Sequence, residues 1–179
     1  MSFFHWFYVQ PMGDVYLEMF LMFSAWTIFT IPLKGKVKRI IGAVFAALSV
    51  AVIVYMTVLG RSTGEHMANF IPFYTFEAAK IQPELYRTMA MNVFLFMPLG
   101  MSLPFALVGK KRYRLIFVVS AALLLSCAIE AVQYFLARGM CDIDDVICNV
   151  TGAFLGYWSF YISERISDFI KRHKEKRAG

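Results

Sequence analysis

Five stretches of this chain, residues 15–33, 39–59, 91–108, 115–136 and 146–162, are predominantly apolar, and each is about long enough to cross a bilayer core as a helix. Hydrocarbon offers no partner to a backbone N–H or C=O, so such stretches fold as helices and pack together as a bundle. The composition agrees: 59% of residues are hydrophobic, 17% aromatic and 17% charged, and the mean hydropathy is +0.60, above the range of soluble domains. The expected architecture is all-α, a single polytopic membrane domain over residues 1–179 with about five transmembrane helices. The first run follows no Lys or Arg and precedes no small-residue cleavage site, so it reads as a retained anchor and not as a cleaved signal peptide.

The net charge of +6 comes from cations beside apolar runs. Lys34, Lys36, Lys38 and Arg39 separate the first two runs, and Lys110, Lys111, Arg112 and Arg114 separate the third and fourth. Arg165, Lys171, Arg172, Lys174, Lys176 and Arg177 follow the fifth. These clusters alternate so as to share one face, which the positive-inside rule makes cytoplasmic, and they report orientation rather than a nucleic-acid footprint. The expectation is a multi-pass protein of the cytoplasmic membrane, with its N-terminus outside and a basic cytoplasmic tail over residues 163–179 and with no nucleic-acid partner. Trp6, Trp26 and Trp158 read as interfacial anchors.

Residues 60–90, between the second and third runs, then lie outside and are too long for a bare linker. Ser62, Thr63, Gly64 and Glu65 have capping-box spacing for a short helix, which Pro72 would stop. Phe70, Ile71, Phe73, Tyr74 and Phe76 make the segment apolar, so it is expected to fold over the bundle as a lid and bring Arg61 and Asn69 toward the turn between the fourth and fifth runs.

That turn carries the polar groups. Glu130 and Gln133 share a face of the fourth run; Arg138, Asp142, Asp144 and Asp145 follow; Asn149, Gly152 and Gly156 form one stripe of the fifth. An ionisable group at membrane depth is costly unless paired or hydrated, so the cluster is a candidate site. Asn92 opens the third run on the same side, and Pro98 and Pro104 imply a bent helix there. Bland readings stand beside the sharp ones. Capping a helix N-terminus accounts for Asp144 or Asp145 as readily as chemistry does, Glu130 either pairs with Arg138, Arg61 or Asn149 or does chemistry, and the glycines suit close helix packing. His5, His66 and His173 lack metal-ligand spacing, and Cys127, Cys141 and Cys148 suggest no disulfide framework.

The pattern Glu130-x-x-Gln133, then Asp142-Ile-Asp144-Asp145-Val-Ile-x-Asn149-x-x-Gly152-x-x-x-Gly156, resembles the signature of the VanZ-like family of bacterial membrane proteins. Tyr55-Met-Thr57-x-x-x-Arg61, Asn69-x-Ile71-Pro72-Phe73 and Asn92-Val-Phe94-Leu-Phe96-x-Pro98-Leu-Gly100 resemble further family segments in the same order, so the likeness spans about residues 55–157. The resemblance implies a membrane protein linked to resistance against teicoplanin and related glycopeptides.

Two function classes follow. In the first, an outward-facing polar site recognises an amphiphile, such as a lipoglycopeptide antibiotic, a membrane lipid or a polyprenyl-linked cell-wall precursor, through Arg61, Asn69, Asn92, Gln133, Arg138, Asp144 and Asn149. In the second, Glu130, Asp142 and Asp145 act as acid and base, or hold Mg²⁺ or Ca²⁺, on a lipid-linked phosphate or sugar at the outer leaflet. A third reading leaves the cluster only to tie helix ends together.

Overall fold

The computed structural model of the chain describes residues 11–61, 63–108 and 113–178; His5, Trp6, Ser62, Lys110, Lys111 and Arg112 lie outside them. Helix α1 (Met12–Thr30) is followed by α2 (Gly35–Val54), which runs into one wide π-helical turn (Tyr55–Leu59). The external segment contributes a short strand β1 (Met67–Asn69) and a short helix α3 (Tyr74–Ala78). Helices α4 (Glu84–Ala106) and α5 (Arg114–Phe135), strand β2 (Met140–Asp142) and the long α6 (Ile143–Ala178) complete the order. The fold is the expected all-α bundle, with one small addition: β1 pairs with β2 in parallel, Met67 opposite Met140 and Asn69 opposite Asp142.

Three helices, Gly35–Leu59, Glu84–Ala106 and Arg114–Phe135, are long and apolar enough to cross a membrane. Their outer faces are apolar too, Ile40, Leu48, Ile116 and Leu124 all being exposed, which suits lipid contact and not water. Helix α1 carries Asp14 and Glu18, which dilute its apolar character. The fifth run and the basic tail form one continuous 36-residue helix.

Backbone contact between α4 and α6 sets the centre of the bundle. A Cβ placed on Gly152 would strike the carbonyl of Val93, one on Gly156 that of Met97, and one on Gly100 that of Ala153. Only glycine lets the two helices approach this closely, as the small-residue stripe suggested. Between α1 and α6, hydroxyl pairs replace apolar packing: Thr27 and Ser159 share a hydrogen bond of 2.7 Å, and Thr30 donates to Ser163 at 2.8 Å. At the basic end Lys38 pairs with Glu164 at 2.7 Å.

Trp26 departs from the anchoring expected of it. Its indole N–H donates to the Met101 carbonyl at 3.0 Å and its ring packs against Phe45, the bundle interior giving a buried indole the partner it needs. The helix expected from the capping-box spacing does not form either. Gly64 N–H is drawn to the Ala137 carbonyl at 2.6 Å and residues 67–69 pair with β2, so long-range partners take the groups that a local helix would have used.

Candidate functional site

The site begins where α5 ends. Ala137 adopts a left-handed conformation (φ 50°). Around it, Arg138 N–H returns to Gln133 O at 2.8 Å and Ala137 N–H to Tyr134 O at 3.2 Å, the reciprocal pair of a Schellman turn. Gly139 follows at φ 135°, and a Cβ there would run into the Arg61 guanidinium. The glycine therefore makes room for Arg61 to cross the turn.

Arg61 is set by the π-helical turn, in which Gly60 N–H reaches Tyr55 O at 2.7 Å. Such turns offer carbonyls to side chains and occur often at functional sites. Here Thr57 O accepts from Gln133 Nε2 and Val58 O from Arg138 Nη1, both at 2.9 Å. Those two bonds tie α2 to α5 and its turn.

Asp142 is the N-cap of α6: its Oδ1 accepts from Asp144 N–H at 3.0 Å. The same oxygen accepts from Asn69 Nδ2 at 3.2 Å, and Oδ2 accepts from the Thr75 hydroxyl at 2.6 Å. Its own N–H donates to Glu130 Oε2 at 2.9 Å. Asp144, fully buried, caps across space: Oδ1 accepts from Phe73 N–H at 2.6 Å and Oδ2 from Thr75 N–H at 2.7 Å. Two acids from the head of α6 thus hold the first turn of α3, where Phe73 stands at φ 65°.

The carboxylates that looked most catalytic are therefore engaged with the scaffold. Glu130, Asp142 and Asp144 all accept bonds that shape the turn and the external segment; Thr75, which no sequence signal singled out, donates to both Asp142 and Asp144, and Asp142 N–H donates to Glu130. Among the described residues, no three His, Cys, Asp or Glu side chains are grouped to hold a metal ion. The candidate set Glu130, Asp142 and Asp145 does not fit Mg²⁺ or Ca²⁺, which need several oxygens free to converge. Burial, with Glu130 and Asp142 beside it, pushes the Cys141 thiol up.

Spare polar capacity lies elsewhere. Asp145 is half-buried, and Arg61 and the Asn92 amide both act on its carboxylate. Among the described residues, Gln133 Oε1 and Asn149 Oδ1 are buried without a partner, and Asn92 Nδ2 makes no hydrogen bond shorter than 3.5 Å. The other end of Gln133 is spent on Thr57, and Asn149 Nδ2 donates to Ser126 at 2.8 Å. Buried unpaired amide atoms are few in native proteins and call for a ligand or ordered water. The structure joins Asn69, Glu130, Asp142 and Asp144 in one bonded set and ties Gln133 and Arg138 to the α2 end in another, while Asn149 bonds Ser126; Arg61 and Asn92 act on Asp145.

Against known proteins, the chain is 35% identical over 80 residues to Protein VanZ of Enterococcus faecium, an alignment covering 45% of this chain and 48% of that relative. The chain thus spans about half the length of the curated relative it matches. No solved structure matches it. The family model VanZ/LLP1 matches residues 40–164. That stretch runs from α2 through the polar network into α6 and holds every residue of the cradle just described, and the chain belongs to the VanZ/LLP1 family.

Proposed function

We propose that this protein contributes to resistance against teicoplanin and related glycopeptides by recognising an amphiphile at an outward-facing polar site. One observation carries the reading: Arg61 and Asn92 line one cavity and both act on the Asp145 carboxylate, while Gln133 and Asn149 each keep a buried amide oxygen without a partner among the described residues. Hydrogen-bonding groups poised in a dry setting suit recognition of a polar head. The alternative, an enzyme acting on a lipid-linked phosphate or sugar, calls for free carboxylates, and Glu130 and Asp142 are already bonded to the scaffold.

The reading requires five passes, the N-terminus outside and the polar site facing away from the cytoplasm. In a background lacking Cys127, Cys141 and Cys148, a cysteine at the exposed Glu65 reacts with a membrane-impermeant maleimide in intact cells, and one at the exposed Lys36 reacts only after lysis. The opposite pattern would reverse the orientation and remove the antibiotic from the site's side of the membrane.

Arg61→Gln tests the site itself. Arg61 is half-exposed and, among the described residues, no backbone group bonds to its side chain, so the variant accumulates normally. Losing a charge-assisted contact weakens binding about tenfold or more, and teicoplanin resistance conferred by the protein drops accordingly. Unchanged resistance at equal membrane abundance would sink the proposal.

A further inference from the structure

The seam between α2 and α4 is open. A cavity of about 260 Å³ runs along it, walled by Leu48 and Val52 of α2, Met56 of the π-helical turn, and Phe94 and Leu95 of α4. A second cavity, about 460 Å³, continues from it toward Trp26 and Phe29 of α1; Phe45 and Pro98 line both. Pro98, one of two prolines within α4, lines both cavities, and a proline removes one helix N–H. Both flanking helices are long and apolar enough to span the membrane, so the mouth of this groove meets acyl chains and not water.

One end of the groove is polar. Arg61, Thr57 and Asn92 line it there, and the Thr57 hydroxyl is already committed to Ile53 O at 2.7 Å. Asn92 is only 7% exposed; its amide acts on the Asp145 carboxylate, but its Nδ2 makes no hydrogen bond shorter than 3.5 Å. A buried donor with so loose a partner, beside a guanidinium, suits further acceptor oxygens. Arg61 also acts on the Asp145 carboxylate, but a guanidinium has five N–H donors in a planar fork and serves a carboxylate and a phosphate on different edges.

We propose that the groove binds a long-chain lipid carrying a terminal phosphate, of polyprenyl-phosphate type, with its chain along α2 and α4 and its phosphate at Arg61 and Asn92. The proposal rests on the reading above that the polar site recognises an amphiphile. It adds that the ligand enters sideways from the bilayer and that its head is an anion.

The test uses the full chain purified in detergent, with native mass spectrometry and thermal midpoints read against geranylgeranyl phosphate, geranylgeraniol and inorganic phosphate. The lipid phosphate is expected to bind and raise the midpoint, the alcohol to bind about tenfold more weakly, and inorganic phosphate to have no effect. Leu48→Trp fills the groove from an exposed position and is expected to cut binding about tenfold, whereas Val44→Trp, equally exposed on α2 but off the groove, changes it less than about twofold. Arg61→Gln removes the preference for phosphate over alcohol. Equal binding of alcohol and phosphate by the unaltered protein, or unaltered binding by Leu48→Trp, overturns the proposal. If the lipid phosphate fails to bind while teicoplanin does, the groove assignment falls and the amphiphile reading stands; if neither binds, both fall.

Discussion

Replacing Asp144 frees the external segment from the bundle. Its two carboxylate oxygens accept from the backbone N–H groups of Phe73 and Thr75 in a setting with no solvent access to the side chain. Asp144→Ala strands both donors, at about 1–3 kcal/mol each. Amide exchange across residues 67–78 should accelerate by about two orders of magnitude or more, the factor that roughly 3 kcal/mol of lost protection implies. Asp144→Asn is only partly conservative. Had Asp144 capped its own helix, asparagine would have served nearly as well. Because it caps another helix with both oxygens, the amide NH₂ meets an N–H and one donor still loses its acceptor, so exchange rises here too. Protection unchanged in both variants would show that the cap does not hold the segment. Glu130→Gln is the internal contrast: one acceptor is enough for Asp142 N–H, so residues 67–78 stay protected.

Gly152→Leu is expected to remove most of the folded protein. The added Cβ would collide with the backbone carbonyl of Val93, and backbone cannot swing aside as a flexible side chain can. Overpacking of this kind costs about 1–3 kcal/mol in ordinary cores, and here the neighbouring Gly156 and Gly100 contacts must open with it, so the thermal midpoint in detergent falls steeply. Gly152→Ala produces a smaller drop in the same direction. Gly13→Leu is the control, because nothing lies within 4 Å of a Cβ at that position. Normal yield and midpoint for Gly152→Leu would mean that α4 and α6 are not held in backbone contact.

How much of this was legible beforehand differs by residue. Glu130 stood out because a carboxylate two turns inside an apolar run is costly without a partner, and the structure supplies one, the Asp142 N–H. Gly152 and Gly156 were readable as a packing stripe, though not as the stripe that meets α4. Thr75 gave no signal. A lone threonine in an apolar external segment is unremarkable until the register of β1 on β2 brings Asp142 and Asp144 over it. The capping-box spacing at residues 62–65 misled, since a local pattern was outcompeted by partners from α5 and β2.

By itself the amino-acid order determined the class of protein and the run of its helices, because hydropathy and helical period are local properties that hold whatever the helices pack against. It also determined that acids and amides gather at the adjoining ends of the fourth and fifth runs. Only the tertiary structure decided what those groups do. The bonds from Asp142 and Asp144 to Asn69, Phe73 and Thr75 join positions about seventy residues apart, and the groove beside Arg61 lies between α2 and α4. Partner choice and empty space belong to the packed chain: each depends on where several helices lie at once, and no window of sequence contains that.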